Sequence, residues 1–248
     1  MPSDRILNTT PDITTLSESL LAIPGDTETP SGGASPYNMV LDGIADARGH
    51  ATLQAGFEQV LSEGLPREDY LDFLYNLYHI VWHFCPVLAA AASRCGDEYR
   101  ELRYHLYHQI DDEKGHENWV LEDIENMGGD VEYARASRPG VAIDALIGYN
   151  YYVAEHVSPW AATGMMHVLE ETAASYAARV ATVTAERLDV DDITKGFKFL
   201  SSHAEMDAEH ISEFEKIVNT TANPAAVQAI VAAGRVNYAL FFSLFREF

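Results

Sequence analysis

The chain has 248 residues, 47% of them hydrophobic, which suffices for one sizeable core and argues against a disordered or fibrous protein. Its 38 Asp and Glu outnumber 16 Lys and Arg for a formal charge of −22, so a phosphate-neutralising face is hard to assemble, and neither nucleic acid nor membrane is expected as a partner. Two cysteines, Cys85 and Cys95, without a CxxC pair, argue against a disulfide scaffold, a zinc ribbon or a thiol redox motif.

Residues 1–36 are rich in Thr, Ser, Pro and Gly and read as a loosely ordered arm, with one short helix near Leu16 to Leu21. From residue 37 onward, apolar residues recur at three- and four-residue spacing, which predicts an all-α domain over 37–248 with seven main helices. The first runs from about Asn38 to Ser62 and stops at Gly64-Leu65-Pro66. The second, about Arg67 to Arg94, is strongly aromatic, and Pro86 is expected to kink or split it. The third spans about Glu98 to Met127 and ends at Gly128-Gly129, and a loop follows to Pro139. The fourth covers about Gly140 to His156, and the fifth opens at Ser158-Pro159 and runs to about Leu188. The sixth covers about Ile193 to Asn219, and Asn223-Pro224 opens the seventh. No strand pattern, phosphate-binding glycine loop or fixed-period repeat competes. The N-terminus lacks signal-peptide features and no apolar run approaches the roughly 20 residues that span a bilayer, so the protein reads as cytoplasmic.

Three helices carry residue sets that bind metal elsewhere. The sixth contains His203-Ala-Glu-Met-Asp207-Ala-Glu-His210, and at about 100° per residue its His, Asp and His fall within roughly 60° of arc. Two imidazoles and a carboxylate on one face form half of an iron or manganese site, although such a triplet alone is as readily a solvated stripe. The third helix offers Glu113 and His116 three residues apart, a spacing found in helical carboxylate-bridged sites. The fifth carries Glu170-Glu171 inside an apolar run whose buried side is marked by Met165, Leu169, Thr172 and Tyr176. A carboxylate there needs a cation or metal beside it. A ferritin-type site would repeat ExxH on two helices, and only one suitable copy occurs.

With DDEKGHENWVLEDIENMGG, GMMHVLEE and above all HAEMDAEH, the stretch from about Arg67 to Asn219 resembles the heme-oxygenase-like diiron oxidases, iron-containing redox enzymes on the thiaminase-related fold. The resemblance implies a seven-helix heme-oxygenase-like bundle with two iron ions between core helices and O2 as co-substrate. It implies Glu113, His116, Glu170, His203, Asp207 and His210 as the metal-binding and catalytic set, with Asp112 a substitute for Glu113 and Glu171 for Glu170. Many members place the first glutamate seven residues before the histidine, a position held here by Gln109. Haem-degrading relatives use a first-helix histidine and basic residues, whereas this first helix offers His50 and few cations. Thiaminase-type relatives need an activated cysteine. The implied activity is O2-dependent oxidation (desaturation, cleavage or N-oxygenation) of a small amino-acid-like or fatty-acid-like substrate in specialised metabolism, with an external electron donor. A non-catalytic metal- or ligand-binding bundle, and haem-dependent or cofactor-free chemistry, are the rival readings. Substrate selection is expected from Tyr75, Tyr78, His79, Trp82 and His83, and from Tyr149, Tyr151 and Tyr152. The apolar ALFFSLF segment near the C-terminus either seeks a second copy, giving a homodimer, or packs back on the bundle.

Overall fold

The computed structural model describes residues 33–245, and over these the chain is helical throughout, without strands. The expected arm, apart from its last few residues, and the short helix at 16–21 lie outside the described residues. In chain order the helices are α1 (Pro36–Thr52), α2 (Ala55–Glu63), α3 (Arg67–Ser93), α4 (Arg100–Glu113), α5 (Glu117–Asn126), α6 (Val131–Ala136), α7 (Val141–Tyr152), α8 (Ala161–Thr172), α9 (Ala178–Arg187), α10 (Lys198–Val218) and α11 (Pro224–Phe241). Two five-residue π-helical segments, Val153–Val157 and Ala173–Ala177, follow α7 and α8.

Where the chain departs from the expected seven helices, local chemistry accounts for it. The first divides at Leu53 and Gln54 into α1 and α2. The third divides after Glu113, because Lys114 is extended (ψ 126°) and Gly115 takes φ +93°, a left-handed conformation that glycine enters without a Cβ clash. Pro86 does not split α3, since it lies on the exposed side, where a missing amide bond is met by water. The loop after Gly129 contains α6, capped by the Asp130 carboxylate accepting from Tyr133 N. The sixth expected helix starts at Lys198 instead of near Ile193. There the buried carboxylate of Asp123 accepts from Lys198 N and Phe199 N, both at 2.8 Å, satisfying two free amides of the helix start. Asn223 caps α11 from Ala225 N with Pro224 in the first turn, as the sequence predicts.

The central element is α11, which packs against α8, α1 and α7. Gly164 sits where α8 crosses it, and a Cβ there would meet Ile230 O at 2.5 Å, so the two backbones touch. Asn150 of α7 and Asn237 of α11, both fully buried, exchange amide hydrogen bonds of 2.8 and 3.0 Å. Surrounded on several sides, this helix is mostly apolar, and Pro224–Phe245 is, by length and composition, long and apolar enough to cross a membrane. That corrects the expectation that no such stretch exists, while 61% of its 18-residue apolar window is buried inside the bundle. The ALFFSLF segment packs back on the chain itself, with Leu240 to Phe245 all buried. On the other side α10 runs against α8, the second π segment, α9, α5 and α4, and α3 closes the bundle against α4, α5 and α7.

Candidate metal centre

α10 brings its face to the end of α4, the start of α5 and the last turn of α8, and there the six residues singled out from sequence meet. All six are between 1% and 8% exposed, so no water shell offsets their charge. Glu113 ends α4, and the Gly115 turn swings His116 back until its Nδ1 lies 2.9 Å from Glu113 Oε2. The same oxygen faces His203 Nε2 at 3.5 Å, and the other oxygen, Oε1, faces His210 Nδ1 at 3.6 Å. His210 Nδ1 also lies 3.3 Å from Asp207 Oδ1 and 3.7 Å from Glu170 Oε1. Two triads result, Glu113-His116-His203 and Glu113-Asp207-His210, each with its donor atoms within 4.8 Å of one another, and Glu113 belongs to both.

The tautomer of His203 follows from its other nitrogen. Nδ1 lies 3.0 Å from Phe199 O, and a carbonyl only accepts, so Nδ1 carries the proton and neutral His203 presents a bare Nε2 to the cluster. His116 is held flat on Trp119 (ring centroids 4.0 Å apart) and His203 on Phe199 (3.9 Å). Both carboxylate oxygens of Glu170, together with His203 Nε2, Asp207 Oδ1 and His210 Nδ1, are buried without a hydrogen-bond partner. Native interiors rarely leave such atoms unmet, and five of them within one buried cluster fit bound cations.

Proton affinities report the same crowding. Burial pushes Glu170 up to about 8, with Asp207 and Glu113 adding to it. The Asp207 contact raises His210 to about 9. Burial would raise Glu113 too, but His116 and His203 outweigh it and hold the carboxyl down to about 2. For His203, burial disfavours the charged form, while Glu113 and Asp207 more than restore it. Without cations the cluster balances its charge with protons, which a metal would displace.

The neighbours considered from sequence lie elsewhere. Asp112 faces the half-exposed His108 at 3.5 Å. Glu171 pairs with Arg48 and accepts from Tyr238 Oη at 2.9 Å. Gln109 is fully buried and donates Nε2 to Glu213 Oε2 at 3.1 Å. His79 and His83 contact Ser137 Oγ (3.3 Å) and Tyr151 Oη (3.1 Å), and His50 is exposed. Both thiols, Cys85 and Cys95, are pushed up to about 11 by burial, which denies them the thiolate a nucleophile needs.

The aromatic set expected to select substrate does not reach the cluster. Tyr78, His79, Trp82 and His83 line a separate surface cleft of about 580 Å³. The opposite face of α3, Phe73, Leu77, Ile80 and Phe84, lines a cavity of about 100 Å³ that reaches Glu113, Glu170, His203 and Asp207. The signal for it was the i, i+4, i+7, i+11 apolar stripe of α3, which reads equally as ordinary core.

Residues 71–240 match the family described as iron-containing redox enzymes. Among solved structures, a heme-oxygenase-like domain of unknown function from Shewanella denitrificans is 21% identical with a TM-score of 0.75, covering 86% of this chain and 91% of that one. A heme oxygenase from Leptospira interrogans is 15% identical with a TM-score of 0.68, covering 87% and 100%. A CADD-like protein of unknown function from Nostoc punctiforme is 14% identical with a TM-score of 0.67, covering 86% and 94%. At these identities the likeness is one of fold. No curated protein matches the sequence.

Proposed function

The chain belongs to the iron-containing redox enzymes, and from that premise we propose that it is a non-haem diiron oxidase or oxygenase acting on a small organic substrate. The observation that carries this reading is the pair of buried triads sharing Glu113. One iron ion would be held by Glu113, His116 and His203, the other by Glu113, Asp207 and His210 with Glu170 beside it. Three carboxylates and three imidazoles form a mixed oxygen and nitrogen set that suits iron in the ferrous and ferric states. When bound, the two ions supply the electrons that reduce O2 and so the oxidising power for a strong substrate bond.

The chain's own residues supply the rest. Phe199 O fixes His203 through Nδ1, and Trp119 and Phe199 hold both imidazole planes, so the donors are aimed before a metal arrives. Apolar walls keep water from the oxidising centre. Reaction type (desaturation, cleavage or N-oxygenation), the electron donor and a role in specialised metabolism extend the same proposal.

The test is anaerobic Fe(II) titration of chelator-stripped protein followed by mixing with O2. The expected result is two irons per chain, oxidised by O2 with oxygen uptake. Iron bound but inert to O2 in the presence of candidate acids and amino acids would instead indicate a non-catalytic metal-binding bundle. A Soret band with added haem and no non-haem iron uptake would move the reading to haem chemistry.

A further inference from the structure

Iron ions that reduce O2 need their electrons replaced, and the candidate ligands lie behind protein on every described side. All six are buried, and the cavity that reaches four of them holds about 100 Å³ behind apolar walls. Soluble electron carriers of the flavin or viologen kind are larger than that, so their electrons have to cross side chains. Two aromatic rings lie flat on the candidate imidazoles. Phe199 covers His203 with ring centroids 3.9 Å apart, but it is itself buried. Trp119 of α5 covers His116 at 4.0 Å with the planes 21° apart, meets His203 edge-on at 5.8 Å, and is only half-buried. Of the two rings, Trp119 is the one that both touches the cluster and reaches toward solvent.

The indole thus contacts both imidazoles of one triad, Glu113-His116-His203. Electron transfer slows steeply with distance through saturated side chains, and a conjugated ring in van der Waals contact with a metal-binding imidazole shortens that stretch. Lys198 Nζ stands 5.5 Å from the centroid of the Trp119 ring and pairs with Glu122 Oε2 at 2.6 Å, both side chains being open to solvent. An ammonium over the ring disfavours removal of an electron from the indole, because the resulting ring cation would face a like charge. The arrangement therefore suits passage of an electron inward through the ring better than storage of an oxidised ring.

Resting on the diiron reading, we propose that Trp119 is the electron-relay residue of the centre, and that the surface at Lys198 and Glu122 is where a soluble one-electron reductant delivers its electron. The electron passes through the indole and His116 to a ferric ion at Glu113-His116-His203, which becomes ferrous. The reductant is oxidised by one electron and the ion is reduced by one. Trp119 forms and breaks no bond, and its ring gains and loses no proton. A second electron by the same route, handed on across the shared Glu113, returns the other ion to the ferrous state.

The experiment loads the full chain anaerobically with Fe(II), oxidises it with O2, removes the excess and mixes it rapidly with reduced methyl viologen, a cation drawn to a chain of net charge −22. Bleaching of the viologen follows the reduction, and metal analysis gives the iron retained. Trp119→Leu should slow reduction per iron about tenfold or more with two irons retained, whereas Trp119→Phe, which keeps a ring, should stay within about threefold of wild type. Trp119→Met serves in place of the leucine variant should that one not fold. A second readout involves no turnover: anaerobic Fe(II) binding should quench part of the tryptophan emission of the wild type but not that of Trp119→Phe, in which Trp82 and Trp160 remain. A ring that only supports His116 would show itself as lost iron, with the iron retained being reduced at the wild-type rate. That result, or quenching unchanged in Trp119→Phe, would overturn the proposal. O2-reactive iron reduced equally fast in Trp119→Leu removes this proposal alone, whereas wild-type protein that takes up no iron removes the diiron reading and this one with it.

Discussion

Glu113 gives Oε2 to His116 and His203 and Oε1 to His210, so its side chain joins two sets of donors that are otherwise separate. On the proposed reading its removal is felt at both ions, whereas His116 serves one. Glu113→Gln should therefore reduce anaerobically loaded iron from two per chain to near zero, and His116→Ala to about one, measured by metal analysis after desalting. Equal losses in the two variants would contradict the shared role. His167 bears on acid stability: it is 3% exposed, stacks on Phe214 at 4.5 Å, and burial lowers it from 6.5 to about 4. Between those values the unfolded chain binds a proton that the folded chain refuses, so this group costs stability as pH falls from about 6.5 toward 4, by roughly 3 kcal/mol in full. His167→Phe should flatten the acid limb of a denaturation-midpoint profile in that window and leave it unchanged above pH 7.

Among the elements, α10 carries half of the candidate ligands and is held at its start by a residue of α5. Asp123 accepts from two free amides of α10, and α5 begins directly after His116, so one carboxylate ties the two sides of the cluster together. Asp123→Ala should lower stability by about 1–3 kcal/mol in chemical denaturation and weaken iron binding, although Asp123 touches no metal-binding atom. Unchanged iron affinity in a destabilised variant would show that α10 keeps its position without the cap. The HxxxDxxH and ExxH spacings were readable because a helix face is a fixed angular relation between residues. The break that positions His116 was not, since Gly115 inside a periodic run reads as a tolerated glycine until its φ is known. Choosing Glu113 over Asp112 and Glu170 over Glu171 likewise needed the packing, because neighbours in sequence differ by only 100° of helix turn. Which side of α3 meets the cluster was likewise not legible: its tyrosines, histidines and tryptophan form the more conspicuous face, while the plain apolar one lines the cavity at the cluster.

For the molecule as a whole, six buried titratable side chains in one place oppose folding until cations join them, and the proposed ions then act as bound ligands of the native state. At a free metal concentration about 100 times the Kd, mass action adds about 2.7 kcal/mol for each ion bound, which for a chain of this size corresponds to roughly 5–10 °C in Tm for the first ion alone. Manganese(II), which avoids oxidation during the scan, should raise the melting temperature by at least that amount, chelator should reverse it, and Glu113→Gln should abolish it. Near-zero response in the wild type would count against a preformed site. The chain order of the cluster also has a consequence for biosynthesis. Glu113 and His116 are followed by Glu170 and only much later by His210, with α11 still to come and needed to support α8. At ordinary translation rates of roughly 5–20 residues per second, the first pair waits on the order of 5–20 s for its last partner. Iron met by the nascent chain finds a fragment of a site, so loading belongs to the finished protein.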